Sequence, residues 1–299
     1  MKTKWIAVTI ILLSFSLQMT QAQSKVLLRL NLDKGANYQM TMVMDNDIDQ
    51  DVMGQKMKII QKMEMVSSYK VLDVLPDKNY VVEYSFGKMK ITMDVNGQQT
   101  VMDTENVGDN PAAQSMKDMT AFNLKVTLNN QGKVQQVEGI EEFASKMAGN
   151  QQMAQTMHMF SDKNSFETFF EQSFGFFPET EVGVGSTWSN SVKMPAYMNM
   201  DLMMNYEVAE IGEEQVVLKL LSNINTDGPI ETNGMKMHLK MTGTQNGVMN
   251  IDRKSGLEGT SDLTQETDML MKMKNPESGE EMEFPMKMNS VIKATVVKI

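Results

Sequence analysis

The chain has 299 residues, with 38 Asp and Glu against 28 Lys and Arg, two His, no Cys and 33 Met. The absence of Cys excludes disulfides, thiolate metal sites and cysteine nucleophiles, and two His leave little room for zinc sites or serine triads. A formal net charge of -10 disfavours nucleic-acid binding, because no excess of cations is present to neutralise phosphates.

The first 22 residues have the pattern of a secretory signal peptide. Lys2 and Lys4 precede an apolar run over residues 5–17, and residues 20–22 form a small-x-small cleavage site. The run is shorter than the roughly 20 residues that a membrane-spanning helix needs. We therefore expect a mature chain that begins near Gln23, is not integral to a membrane, and resides in the periplasm or outside the cell.

Alternation with a period of two dominates the mature chain. Apolar side chains alternate with mostly polar ones at Leu28, Leu30 and Leu32, and again at Met235, Met237, Leu239 and Met241. This pattern predicts half-buried antiparallel strands. Turns are predicted by glycine-containing pairs and triplets at residues 96–97, 130–132, 233–234, 246–247 and 255–256.

One central segment breaks the strand pattern. Between Ile140 and Phe177 the apolar spacing becomes three to four residues, which predicts two or three helices joined near residues 149–150 and 161–162. The aromatic side chains of this segment need a surface to bury against. We expect that surface to be the concave face of the sheet.

The segments on either side of the helical region resemble each other. Met63–Val74 aligns without gaps with Met200–Ile211, and Gly35–Tyr38 upstream of the first copy matches Gly185–Trp188 upstream of the second. The same order in both halves indicates duplication. The predicted fold is α+β and mainly antiparallel β, a curved or half-barrel sheet built from two pseudo-repeated β halves with a central helical segment.

The predicted organisation is one composite domain behind the signal peptide. Its parts are the signal peptide 1–22, an N-terminal β half 23–139, the helical segment 140–177 and a C-terminal β half 178–299. Within it, Leu28–Tyr38 and Pro178–Trp188 resemble two recurrent signatures of a secreted Bacteroidota family known only as domain of unknown function 6263. The resemblance spans essentially the whole mature chain. It implies an extracytoplasmic bacterial protein and supplies no catalytic residues.

The methionines carry the main functional hypothesis. Met is unbranched and polarizable, so it accumulates on apolar surfaces that adapt to varied partners. A Met-lined concave face under a Phe-rich helical segment would bind a lipid or another apolar small molecule. The candidate ligand-binding residues are Met40, Met42, Met63, Met65, Met200, Met235, Met237, Met241, Phe166, Phe170 and Phe174.

Two alternatives to ligand binding stay open. In the first, Met only fills a core, and the chain is a structural or protein-interaction module at the cell envelope. In the second, Met-x-Met pairs bind Cu(I), for which a thioether is a suitable soft ligand. Against copper, His238 follows Met237 on a strand and therefore points to the opposite face. No metal ligands and no cofactor are assigned.

Enzyme signatures are weak. Gly183-x-Gly185 precedes a predicted strand rather than a helix, so it lacks the helix N-terminus of a phosphate site. Residues 45–51 alternate Asp with other side chains as part of a calcium loop does, but the glycine at the sixth place and the glutamate at the twelfth are missing. We expect these aspartates at a solvated hairpin tip, and a protein that acts by binding rather than by catalysis.

Overall fold

A single curved sheet forms the body of the molecule. The computed structural model describes residues 25–148, 163–193, 201–232, 235–274 and 279–299. Twelve antiparallel strands join in the order β6-β5-β3-β2-β1-β12-β11-β10-β9-β8-β7, with β4 paired to β3. The sheet is not closed. The predicted fold class, a curved and mainly antiparallel sheet with few helices, is confirmed.

The strands are long. They are β1 Asn37–Val52, β2 Gln55–Val74, β3 Tyr80–Val95, β4 Gln98–Asp103, β5 Asn123–Leu128, β6 Val134–Glu138, β7 Thr187–Lys193, β8 Asp201–Ile211, β9 Gln215–Thr232, β10 Met235–Asp252, β11 Glu258–Lys274 and β12 Glu281–Lys298. The first and last strands pair with each other in the middle of the sheet. The N-terminal and C-terminal halves are therefore continuous through β1 and β12.

The helices are α1 Pro111–Met119, α2 Ile140–Ala148 and α3 Lys163–Phe174. Helices α2 and α3 fall in the predicted helical segment, whereas residues 149–162 lie outside the described residues. Helix α1 was not predicted, although its start has a local signal: the side-chain oxygen of Asn110 accepts from the N–H groups of Ala112 and Ala113 at 2.9 and 3.3 Å. No helix among the described residues is long and apolar enough to cross a membrane.

The two faces of the sheet differ in chemistry. Strand β1 places Met44 on one face, here called the apolar face, and Asp45 and Asp47 on the other, called the polar face. The strand register continues this division, since Met44 lies opposite Met63 of β2 and Ile292 of β12. The alternation predicted from the sequence thus becomes one apolar surface across the whole sheet.

Cross-strand ion pairs occupy the polar face. Lys287 lies 3.4 Å from Asp268, and Lys293 lies 3.3 Å from Asp262, each pair joining β12 to β11. All four side chains are well exposed, so each pair contributes little to stability. These exposed charges make the polar face well solvated.

The aspartates of β1 correct one prediction. Residues 45–51 lie within β1 rather than at a hairpin tip, and Lys58 of β2 pairs with both Asp47 and Asp49. The tip is Met53-Gly54, where both residues have positive φ. Alternating Asp residues fit a strand as well as a loop, because every second side chain reaches the same solvated face.

A packed core fills one end of the apolar face. The rings of Phe170 in α3 and Tyr84 of β3 pack edge-on, with their centroids 5.2 Å apart. The rings of Phe174 and Tyr69 of β2 also pack edge-on, with their centroids 5.5 Å apart. Phe143 of α2 contacts Phe166 of α3 at 5.3 Å. These aromatic contacts anchor α2 and α3 to the N-terminal half of the sheet. Helix α3 also lies against β6 and β7, and α1 lies against β3 and β4.

The same backbone device occurs in both halves. The N–H of Gly35 donates to the carbonyl of Val71 at 2.8 Å, and the N–H of Gly185 donates to the carbonyl of Val208 at 2.8 Å. Each of these valines is followed by a β-bulge, and each glycine has a φ of 82°. Val71 and Val208, which occupy equivalent positions in the sequence alignment, therefore accept equivalent hydrogen bonds.

Stacked aromatic rings repeat with the backbone. Tyr38 stacks on Tyr69 with ring centroids 5.5 Å apart, and Trp188 stacks on Tyr206 at 5.3 Å. In each half the aromatic residue that enters the first strand covers the tyrosine of the second. Offset stacking of this kind adds to the energy of burial, so the duplicated pattern has a physical role in both copies.

The N-terminal segment, residues 25–36, connects the two halves. The N–H of Leu30 donates to Asn130 at 2.9 Å, and the N–H of Asn31 donates to Ser255 at 2.8 Å. One acceptor lies in the N-terminal half, in the turn between β5 and β6, and the other lies in the C-terminal half, in the turn between β10 and β11. The leucines Leu28, Leu30 and Leu32 are buried, so the segment is part of the core.

One predicted turn is part of a strand instead. Asn246 and Gly247 lie inside β10 and pair with β9 and β11. A Cβ at Gly247 would lie 2.1 Å from the carbonyl oxygen of Asp262. The glycine is required because β11 approaches closely, and a two-residue sequence signal cannot distinguish this requirement from a turn.

The contact at Gly256 yields a stability prediction. Its φ is +74°, and a Cβ there would lie 2.0 Å from the carbonyl oxygen of Arg29, whereas Gly185, at φ +82°, faces open space. We expect Gly256→Ala to lower the free energy of unfolding by about 3 kcal/mol or more, from backbone strain plus overlap. Gly185→Ala, the matched control, should cost about 1 kcal/mol from strain alone. Urea unfolding followed by circular dichroism measures both, and equal losses would contradict the close contact.

Candidate functional site

Half of the apolar face lies away from the helices and is rich in methionine. We call this half the methionine surface. Eight of its methionine side chains are half-buried. They belong mainly to β10, β11 and β12, with one from β2, and comprise Met57, Met237, Met269, Met271, Met273, Met282, Met286 and Met288.

The strand register arranges these methionines in rows. Two rows cross β10, β11 and β12 in order: Met237, Met273 and Met282, then Met241, Met269 and Met286. Buried Leu239 and Met241 pack with Ile224 of β9 and form a small apolar cluster at this end. The result is a continuous apolar surface built from flexible side chains.

A row of polar side chains crosses the apolar face between the methionine surface and the helix-covered core. We call it the polar row. Its members are neighbours in register on β2, β1, β12, β11, β10 and β9: Gln61, Asn46, Ser290, Gln265, Gln245 and Ser222. The sequence interpretation missed it, because on β1, β2, β9 and β12 each member is a single polar residue between apolar residues of the same face.

Side-chain hydrogen bonds connect parts of the polar row. Asn46 Nδ2 donates to Gln61 Oε1 at 2.8 Å, and Gln245 Nε2 donates to Gln265 Oε1 at 3.3 Å. Asn46 Oδ1 and Ser222 Oγ are buried and have no hydrogen-bond partner. Asn46 is 5% exposed and Ser222 is 0% exposed. Two hydrogen-bonding atoms of the row therefore lack a partner within the described protein.

The structure places the predicted phenylalanines in the core. Phe166, Phe170 and Phe174 are buried and belong to the main hydrophobic core. They close one end of the apolar face and do not reach the methionine surface. Their three-to-four spacing predicted a buried helix face, which is what they form.

The predicted methionines divide into two groups. Met40 and Met65 pack against the core, and the half-buried Met42 and Met63 lie beside them on the helix side of the polar row. Met237 and Met241 lie on the open side. Met200 lies outside the described residues, and for Met235 only the backbone, within β10, is described.

The histidine proposed beside a methionine pair lies on the other face. His238 Nε2 is 2.6 Å from Asp227 Oδ1 on the polar face, opposite to Met237. His158 lies outside the described residues. Among the described residues, no group of three or more His, Cys, Asp or Glu could hold a metal ion.

Two of the clefts in the described part of the chain can be compared with the methionine surface. A cleft of about 720 Å³ lies mainly on the polar face near the tip of β1 and β2, and the charged side chains in its lining are Asp49, Asp51, Lys56, Lys58, Lys240, Asp268 and Lys287. Met57, Met269 and Met286 also contribute to its lining. The second cleft, about 490 Å³, adjoins the N-terminal segment and includes Tyr38, Asp252 and Glu258. Neither of these two clefts is enclosed by methionine.

Glu258 is the ionisable group with the most unusual surroundings. Burial raises the pKa of its carboxyl group, and a hydrogen bond with Ser261 partly opposes the shift. Burial also raises the pKa values of Tyr69 and Tyr206, with a smaller contribution from the charge of Glu258. These groups lie at the packed end of the apolar face, so Glu258 affects folding rather than the methionine surface.

Family membership follows from the sequence comparison. Residues 77–258, more than half of the chain, match the model of a family of unknown function, DUF6263. The chain belongs to this family. The family resemblance noted in the sequence is therefore confirmed. Among curated proteins, none matches.

Several solved structures align with this chain at low similarity. Lipovitellin, from a structure titled for its lipid–protein interactions, aligns with a TM-score of 0.48 and 6% identity over 89% of this chain and 25% of lipovitellin. The translocator domain of autotransporter NalP from Neisseria meningitidis has a TM-score of 0.18 and 6% identity, covering 89% and 90% of the two chains. OccK7 from Pseudomonas aeruginosa has a TM-score of 0.24 and 6% identity, covering 89% and 100%. This chain spans a quarter of the length of lipovitellin, and none of these likenesses assigns a function.

The raised pKa of Glu258 predicts a pH dependence of stability. The folded state holds the proton above the ordinary value of 4.5, so it binds more protons than the unfolded state between that value and its own pKa. The free energy of unfolding should therefore fall as the pH rises through this window. Glu258→Gln should remove that fall, with a melting temperature a few °C above wild type at pH 8 and equal near pH 4.

Thermal unfolding at a series of pH values checks this difference. Glu266→Gln, at an exposed position on the same strand, controls for the loss of one negative charge. A wild-type to Glu258→Gln difference that does not change with pH would contradict the burial of the carboxyl group.

Proposed function

We propose that this chain is a non-enzymatic carrier of an apolar, lipid-like ligand, which it binds on the methionine surface. One observation supports this most directly: the methionine surface belongs to the same apolar face as the core but lies beyond the helices that cover the other end. Most of its methionine side chains remain half-buried. A ligand would complete the burial that α2 and α3 complete at the other end.

The energetics favour a bound ligand over an empty surface. Burial of apolar area is worth about 25 cal/mol per Å², or about 1.5–3 kcal/mol for a fully buried Met side chain. Apolar patches larger than a few hundred Å² on a soluble protein usually mark a binding site. A surface of this kind gains free energy when an apolar molecule replaces water on it.

Methionine suits the binding of ligands that differ in shape. Leu, Phe, Val and Tyr fill most of the packed end, where partners are fixed by the fold. Met dominates the open end, where an unbranched side chain can adjust to several ligand shapes. The division of residue types along one face supports a packed end for stability and an adaptable end for binding.

A carrier of apolar molecules would have a role outside the cytoplasm. The signal-peptide pattern at the N-terminus predicts export, and an apolar molecule outside the cytoplasm has to cross water between membranes. The polar face, with its cross-strand ion pairs, keeps such a carrier in solution. A protein partner on the methionine surface is the competing proposal, and the experiment below separates the two.

Native mass spectrometry of the mature chain, purified from its own cells, tests the proposal. We expect an added mass that mild organic extraction removes, because a bound lipid partitions into the solvent. A bare polypeptide mass accompanied by a dimer or a co-purified protein would contradict the carrier function. An added mass near that of copper, retained after extraction, would favour the Met-x-Met metal site instead.

A matched pair of variants locates the ligand on the methionine surface. Met271 lies on this surface between Leu239 and Phe284, and Met203 lies on the polar face and is 52% exposed. Met271→Gln should lower ligand affinity about tenfold, since the lost burial is worth about 1.5 kcal/mol. Met203→Gln should leave affinity unchanged.

The unfolding free energy of the extracted protein serves as the control for this pair. Both variants should stay within about 1 kcal/mol of wild type, because neither side chain is fully buried. Equal ligand loss in both variants, or ligand loss that only follows unfolding, would contradict binding at the methionine surface.

A further inference from the structure

We propose that the polar row binds an uncharged polar group of the ligand, so that the ligand is a neutral amphiphile carrying an ester, amide or hydroxyl. This inference rests on the proposed carrier function and specifies its ligand class. The apolar chain of the amphiphile would lie on the methionine surface, and its polar group would end at the polar row.

The position of the row suits the end of an apolar chain. On its helix side lie Met44 and Met63, which adjoin the core, and on its open side lie Ile48 and Met288. From Ser290 to Met282, at the far edge of β12, the strand extends about 27 Å at roughly 3.4 Å per residue. An acyl chain that starts at the polar row therefore has room to lie along β12 on the methionine surface.

Two buried atoms of the row lack partners. Ser222 Oγ and Asn46 Oδ1 have no hydrogen bond, although Ser222 is 0% exposed and Asn46 is 5% exposed. The amide orientation of Asn46 does not change this conclusion, because either orientation leaves one buried polar atom free beside Gln61. Buried polar atoms without partners are costly and uncommon in folded proteins. A ligand that supplies the missing partners removes this cost.

The chemistry of the row selects against charge. Its members are amides and hydroxyls, which both donate and accept hydrogen bonds. From the polar row to the open edge, the apolar-face positions described on β1, β2 and β9 to β12 carry no charged side chain. A phosphate or an ionised carboxylate would lie there without a counter-ion, which is strongly unfavourable. Ester, amide and hydroxyl groups match the available donors and acceptors.

Three probes with similar chains test the ligand class. They are monoolein, which has an ester and hydroxyls and no charge, oleate at pH 8, and 1-octadecene, which has no polar group. Each is delivered from cyclodextrin to the extracted mature chain, and native mass spectrometry measures the bound fraction. We expect monoolein to bind about tenfold more tightly than 1-octadecene, and oleate to bind most weakly.

Ser222→Ala isolates the contribution of the row. The substitution removes a hydroxyl that has no partner in the free protein, so stability should be unchanged or slightly higher. Monoolein affinity should fall about fivefold, the value of one hydrogen bond, and 1-octadecene affinity should not change. Asn223→Ala, one residue away on the polar face, is the matched control. Asn46→Leu is a second variant with the same expected direction.

The outcomes separate this inference from the carrier function. If none of the probes binds, both proposals fail. If monoolein and 1-octadecene bind equally and Ser222→Ala changes neither, the carrier function stands and the polar row has only a structural role. If oleate binds most tightly, the ligand is charged and the inference is wrong.

Discussion

The pairing of β1 with β12 is the constraint on which the architecture depends. It joins the first strand of the N-terminal half to the last strand of the C-terminal half, in register from Tyr38 opposite Lys298 to Gln50 opposite Met286. Because side chains alternate with a period of two, a slip of one residue would turn Asp45 onto the apolar face and Met44 into water. The same register places Asn46 beside Ser290. The apolar face and the polar row are both consequences of one strand alignment.

Local sequence patterns predicted the architecture, and non-local register produced what they missed. Alternation identified the strands, and the match of Met63–Val74 with Met200–Ile211 led to two halves that share a bulge and a glycine hydrogen bond. The polar row had no such signal, because Gln61, Asn46 and Ser290 come together only through pairing of distant strands. A single polar residue inside an alternating apolar series is the one trace it leaves in the sequence. Likewise, Gly247 resembled a turn because the sequence does not show which strand approaches it.

The sequence predicted the residue types of the candidate site better than it predicted their positions. The predicted methionines share one face of the sheet, since Met42, Met63, Met237 and Met241 all lie on the apolar face. The phenylalanines were assigned to the same site, yet helix packing buries them at the other end of the face. Aromatic residues at helical spacing serve a core more often than a surface, and here that general tendency decides their location. Composition alone therefore could not divide the apolar face into its two ends.

That division has a consequence for how substitutions act. At the packed end, Phe170 and Tyr84 have partners fixed by the fold, so a change there costs folding free energy through a cavity or a lost ring contact. At the open end, side chains such as Met271 lack a helix above them, so a change there costs little until a ligand covers the surface. Ser222 lies at the boundary, where an unpartnered hydroxyl lowers the stability of the free protein and gains a partner only on binding. Stability and binding are thus separable along a single face of the sheet, with the polar row as the border between them.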